Sequence, residues 1–193
     1  RVGEGKKPAN SIWLWGSGKK PVMPNLKEMF GLEGAVISAV DLLKGIGIYA
    51  GLDAVKVPGA TGYLDTNYKG KVEKALKVLE KRNFVYIHVE APDEASHGGS
   101  YEKKIQAIED FDSKVVGEIL KGINGNQKHK ILLTSDHPTP LNVMTHTSEN
   151  VPFAIYSPGI AGDNTTAFSE NLVKEGSKKF EKGFEIMEYF VKG

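Results

Sequence analysis

The chain has 193 residues, 40% of them hydrophobic and 25% charged, with a formal net charge of +1 and no cysteine. That length and balance describe one soluble-type globular domain able to bury a full core. The near-neutral charge supplies no strong field to draw nucleic acid or a membrane surface, and neither is expected as a partner. Without cysteine, disulfides, thiolate ligands and thiol nucleophiles are excluded. No apolar run reaches bilayer length and no signal-peptide pattern opens the chain, so the expected location is cytoplasmic.

Residues 1–10 are glycine-rich and basic and read as a linker or disordered end, leaving residues 11–193 as the folded part. Ser11–Trp15 reads as a short apolar strand stopped by Gly16-Ser17-Gly18-Lys19-Lys20-Pro21. That stop lacks the spacing of a nucleotide-cradling loop, since Trp13 stands where the first Gly is needed and Lys20 where Ser or Thr is needed. Lys19 remains a candidate anion contact at the rim of a site. A short helix is expected over Leu26–Gly31, a strand over Gly34–Val40 and a helix over Asp41–Ala50. Gly45 and Gly47 puncture that helix, which points to close packing. A brief strand at Ala54–Val57 leads into a glycine- and hydroxyl-rich loop over Pro58–Tyr68, of the kind that often carries function.

Val72, Ala75, Leu76 and Leu79 recur at helical spacing within Tyr68–Arg82. Phe84–Val89 is an unbroken apolar strand, followed by a loop presenting Asp93 and His97. Ser100 caps a long helix whose apolar face is expected at Ile105, Ile108, Phe111, Val115 and Ile119. A polar turn over Lys121–Lys130, strands at Lys130–Thr134 and Val151–Tyr156, and a helix over Ser177–Val191 complete the chain. Alternating strands and helices, with several strands apolar throughout, predict an α/β fold: a mostly parallel sheet with helices on both faces. Ligands of such sheets sit beyond the carboxyl ends of the strands, where Asp93, His97, Asp136 and His137 fall.

Two carboxylates and three imidazoles, Asp93, His97, Asp136, His137 and His146, therefore form a candidate metal centre. Each fragment is a weak signal alone; three of them at strand ends in one domain are a stronger one. Oxygen and imidazole donors suit Mn²⁺ or Zn²⁺, with Mg²⁺ less well matched. Five ligands exceed one tidy Zn²⁺ site and fall short of two complete sites. Two cations about 3.5–4 Å apart would suit phosphoryl transfer, or hydrolysis of other esters. Ser17, Ser96 and Ser135 are nucleophile candidates by residue type only.

The stretches Asn10–Gly16, Gly34–Gly47, Val57–Asn67, His88–His97, Ser135–Pro140 and His146-Thr147 together resemble the archaeal-type, cofactor-independent (2,3-bisphosphoglycerate-independent) phosphoglycerate mutases of the alkaline-phosphatase superfamily. The resemblance runs from about Asn10 to the final helix. It implies an alkaline-phosphatase-like α/β/α sandwich, incomplete at its amino-terminal part, and a phosphoglycerate substrate. It also implies two divalent ions (Mn²⁺ or Zn²⁺, with Mg²⁺ or Co²⁺ as further options) and no bisphosphoglycerate. Asp93, His97 and His146 would hold one ion, Asp136 and His137 would belong to the other, and Lys19 would meet the substrate phosphate. At position 17 this chain has Ser where many relatives have Gln.

The family's second ion also needs an Asp and the nucleophilic Ser from an amino-terminal segment, and no Asp-Gly-x-x-Asp start is present in this sequence. The chain is thus expected to be the carboxyl-terminal portion of a mutase of roughly twice its length, inactive in isolation and completed by the missing segment. The implied reaction interconverts 3-phosphoglycerate and 2-phosphoglycerate through a phosphoserine. The alternatives are another phosphotransferase or phosphatase of the superfamily, such as a homoserine kinase-like enzyme, or a catalytically inactive fragment.

Overall fold

The computed structural model describes residues 1–14, 16–123 and 128–193. Among the described residues of 1–25 there is one 3-10 turn, at Val2–Glu4, and the others are irregular. The strand expected over Ser11–Trp15 does not form across residues 11–14, and Trp15 lies outside the described residues. The physical reason is the lack of a ladder partner: Ile12, Trp13 and Leu14 stand 88%, 85% and 89% exposed, and a strand is stable only against a neighbour. The expected turn over Lys121–Lys130 falls partly outside the described residues.

From residue 26 the elements are α1 (Leu26–Phe30), β1 (Gly34–Ile37), α2 (Asp41–Tyr49), β2 (Asp53–Ala54), α3 (Tyr68–Leu79), β3 (Phe84–Ile87), α4 (Ala91–His97), α5 (Tyr101–Phe111), a π turn (Asp112–Val116), α6 (Gly117–Gly122), β4 (Ile131–Thr134), β5 (Phe153–Tyr156), α7 (Leu172–Glu175) and α8 (Glu185–Lys192), the anticipated order with the short helices α4 and α7 added to it. The first three strands form a parallel sheet in the order β2-β1-β3, with Gly34 opposite Phe84 and Ile37 opposite Ile87. β4 and β5 form a separate antiparallel pair, Ile131 opposite Tyr156. The fold is α/β, with a parallel sheet flanked by helices, as the alternation of elements predicts. The site residues therefore lie beyond the ends of two strand groups instead of along one continuous rim.

β1 is buried along its whole length, as an apolar central strand must be. Gly47 lets α2 press onto it, because a Cβ there would fall 2.4 Å from Val36 Cγ1; at Gly45 the space is open. On the other face Ile37, Val57 and Ala75 are buried with Val55, Val85, Ile87 and Ile119 around them. Tyr68, Val72 and Val115 extend the packing toward Val89 and Phe111. Each buried aliphatic side chain of this kind contributes about 1.5–3 kcal/mol. The α3 stripe is as expected. On the long helix, however, Ile105 and Ile108 face outward, and Ala107, Phe111, Val115 and Ile119 form the inner face. The π turn sits inside this stripe, and such a turn shifts which side chains a helix presents. The terminal helix is shorter than expected, starting at Glu185.

Lys71 occupies the junction between α3 and the end of β3. Its side chain is fully buried, and its Nζ donates to the carbonyl of His88 at 2.9 Å. Burial holds this ammonium below the usual lysine range, opposed by the nearby Glu90 carboxylate. Among the described residues no helix is long and apolar enough to cross a membrane. Lys71→Met keeps the bulk and removes the donor. It is expected to lower stability by about 1–3 kcal/mol in urea denaturation, the cost of a buried carbonyl left unpaired.

Candidate metal centre

β3 ends at Ile87, His88 N–H still donates to Ile37 O at 2.9 Å, and the chain then turns at Glu90 into α4. The stretch expected as a loop is thus a short helix. Pro92 in its first turn and the acids Asp93 and Glu94 near its positive end are helix-start features present in the sequence. Helical spacing then puts Asp93 and His97, four apart, on one face. His146 arrives from the irregular segment after β4. That segment folds back through Met144 N–H to Pro140 O (2.8 Å) and Thr147 N–H to Pro138 O (3.1 Å), with Met144 at φ 51°.

The three side chains meet. His97 Nε2 lies 3.3 Å from Asp93 Oδ2, His146 Nε2 lies 3.4 Å from Asp93 Oδ1, and the two Nε2 atoms are 3.1 Å apart. Their donor atoms fall within 4.8 Å of one another, a grouping able to hold a metal ion. His97 Nδ1 faces the Met144 carbonyl at 2.9 Å. A carbonyl only accepts, so Nδ1 carries the proton and the Nε2 lone pair of neutral His97 points at Asp93 and His146. Convergence of lone pairs and a carboxylate on one point is repulsive unless a proton or a cation shares it, and the donor chemistry fits a divalent ion of the borderline kind. The same carbonyl contact, followed by the Asp93 charge, raises the His97 pKa.

Asp136 and His137 follow β4 directly. His137 stacks on His146, ring centroids 3.7 Å apart, and its Nε2 lies 3.3 Å from Asp136 Oδ2. All five residues expected from the sequence are therefore joined by contacts: Asp93, His97 and His146 as a compact trio, Asp136 and His137 attached through the stacked ring. Lys19 is exposed in the irregular segment before α1 and takes no part in the hydrogen bonds and ion pairs of this group. Ser96 is buried with its hydroxyl donated to Pro92 O at 2.7 Å, a helix-internal contact. Ser17 and Ser135 are exposed.

Four residues here escaped the sequence reading. Thr139 Oγ1 bonds Asp93 Oδ1 and contacts His137 Nδ1. Glu90 and Glu94 form a second acidic grouping with Asp93. Burial and these neighbouring carboxylates push the Glu90 pKa up. The carboxylate of Glu90 also closes on Gly62, where a Cβ would fall 2.4 Å from Oε2. The loop after β2 therefore reaches the site, braced by its own Thr61–Asp65 and Thr61–Thr66 hydrogen bonds. His88 is the fourth, with Nδ1 3.1 Å from Ser38 Oγ and its pKa pushed down by burial. A signal for Glu90 and His88 existed in their places beside the strand end; Thr139 had none.

The metalloenzyme superfamily matches residues 3–181. The chain belongs to that superfamily. Relatives include a probable 2,3-bisphosphoglycerate-independent phosphoglycerate mutase from Geobacter sulfurreducens, 56% identical over 97% of this chain and 47% of its own length. Another, a 2,3-bisphosphoglycerate-independent phosphoglycerate mutase from Methanosarcina acetivorans, is 55% identical over all of this chain and 49% of its own length. Among solved structures, a cofactor-independent phosphoglycerate mutase from Thermoplasma acidophilum superposes with a TM-score of 0.64 at 26% identity, over 88% of this chain and 39% of that one. The resemblance found in the sequence motifs is thus matched by relatives and by a structural neighbour within the superfamily. The chain spans about half the length of these relatives.

The pKa of His88 gives a test of its setting. Its folded pKa lies below the ordinary value of about 6.5. The neutral ring's contribution to stability is complete above that ordinary value and is lost as pH falls through it toward the folded pKa. As pH falls from about 7.5 to 5, urea denaturation should show the wild type losing stability relative to His88→Gln; a constant difference between the two would place His88 in water.

Proposed function

We propose that the protein to which this chain contributes interconverts 3-phosphoglycerate and 2-phosphoglycerate through a phosphoserine. The observation that carries the reading is the convergence of Asp93, His97 and His146, with Asp136 and His137 alongside, in a chain whose relatives are named phosphoglycerate mutases. Asp93, His97 and His146 would hold one divalent ion; Asp136 and His137 would supply part of the shell of a second. Ions so held would neutralise the phosphoryl oxygens and favour ionisation of the attacking hydroxyl.

The chain's own residues bind and orient. α4 fixes Asp93 and His97 on one face, the Met144 carbonyl fixes the His97 tautomer, and the His146–His137 stack ties the trio to the Asp136–His137 pair. The phosphoryl group would move from a glycerate hydroxyl oxygen to the serine oxygen, then back to the other glycerate hydroxyl, with one proton exchanged at each transfer. The serine and the remaining ligands would come from outside these 193 residues. The relatives' doubled length supports that reading, which makes the isolated chain inactive. We further assign residues 1–10 to a linker and residues 11–193 to the carboxyl-terminal part of the catalytic domain, with Mn²⁺ or Zn²⁺ as the ions, Lys19 as a phosphate contact, and glycolysis in the cytoplasm as the setting.

In the full-length protein, EDTA should abolish turnover of phosphoglycerate and Mn²⁺ should restore it. Asp93→Asn should lower activity by about 100-fold or more while leaving the fold near native. Chelator-insensitive isomerisation, or ATP-dependent phosphorylation of homoserine in place of isomerisation, would overturn the assignment.

A further inference from the structure

We propose that Thr139 is a positioning residue that sets the tautomer of His137 and the orientation of Asp93, linking the two ligand groups; this rests on reading Asp93 and His137 as ligands. Thr139 is 6% exposed, in the turn after β4. Its Oγ1 lies 2.5 Å from Asp93 Oδ1 and 3.3 Å from His137 Nδ1. Its carbonyl accepts from Lys104 Nζ at 2.8 Å, so α5 holds the backbone while the hydroxyl spans the two side chains.

A hydroxyl has one hydrogen, and an ionised carboxylate can only accept. The Thr139 proton is therefore committed to Asp93, and toward His137 the oxygen can only accept. A hydrogen bond between this oxygen and His137 therefore needs Nδ1 as the donor, which would place the proton of the neutral ring on Nδ1 and leave Nε2 with a free lone pair. That matters because Asp136 Oδ2 sits 3.3 Å from the same Nε2. In the absence of Thr139, that carboxylate would draw the proton to Nε2, and a protonated nitrogen cannot ligate. Thr139 thus opposes Asp136 and keeps both Asp136 and His137 available as donors to one cation. This is the same arrangement that the Met144 carbonyl imposes on His97, reached through a side chain instead of the backbone.

The test uses the full-length protein with ¹⁵N-labelled histidine, stripped of metal and held near pH ~8.5, where an ordinary imidazole is neutral. Long-range ¹H–¹⁵N spectra are expected to show His137 protonated on Nδ1 in the wild type and in Thr139→Ser, and on Nε2 in Thr139→Val. A wild-type His137 protonated on Nε2 refutes the proposal without any variant, so a valine protein that fails to fold does not shelter it. A valine variant that keeps the Nδ1 proton refutes it equally. Mn²⁺ titration calorimetry is expected to show about 10–100-fold weaker binding in Thr139→Val, with Thr139→Ser close to wild type. Undiminished Mn²⁺ binding in His137→Ala and Asp93→Asn would instead sink the ligand assignment, whatever the tautomer spectra report.

Discussion

Three side chains address the carboxylate of Asp93. His97 approaches Oδ2, while His146 and the Thr139 hydroxyl approach Oδ1. His97 comes from α4 itself, and Thr139 and His146 both come from the segment that follows β4. A single carboxylate is therefore one point at which the helices beside the parallel sheet meet the segment after β4, alongside the His97–Met144 and Lys104–Thr139 contacts. An anion so placed is favourable only while its partners supply protons or share a cation with it. Stability of the region and capacity to hold metal are thus two readings of one arrangement.

The support behind Asp93 is polar and buried. Lys71 anchors the His88 carbonyl from α3, Ser38 at the end of β1 contacts the His88 ring, and Glu90 packs against the loop at Gly62. β3 and α4 are thereby connected through groups that cannot shift independently. In a low-dielectric setting each unpaired member would cost more than it does in water, so the turn that aims α4 is held by the penalty of breaking any of these contacts. Glu90 departs from this pattern, since its surroundings favour the neutral acid.

The exposed apolar residues describe the rest of the surface. Ile12, Trp13 and Leu14 stand in water, as do Leu42 on α2 and Ile105 and Ile108 on α5. The relatives of this metalloenzyme-superfamily chain are about twice its length, and only about half of each is aligned with it.

The sequence by itself determined most of the element order from residue 26 onward, the parallel pairing of β1 with β3, the inner face of α3 and the five candidate ligands, but not the antiparallel pairing of β4 with β5. These follow from local rules: helical periodicity, unbroken apolar strands, and titratable side chains placed just after a strand ends. The α4 helix was also legible, in its first-turn proline and acids, although the residues read more readily as a loop. Only the tertiary structure decided that residues 11–14 stay unpaired, because a strand is defined by its neighbour. It also decided that Ala107, Phe111, Val115 and Ile119 face inward along a helix that passes through a π turn, while Ile105 and Ile108 face out. Thr139, Glu90 and Lys71 gained their roles in the same way. A hydroxyl, an acid and an amine carry no signal in isolation, and their chemistry is fixed by which distant group each one meets.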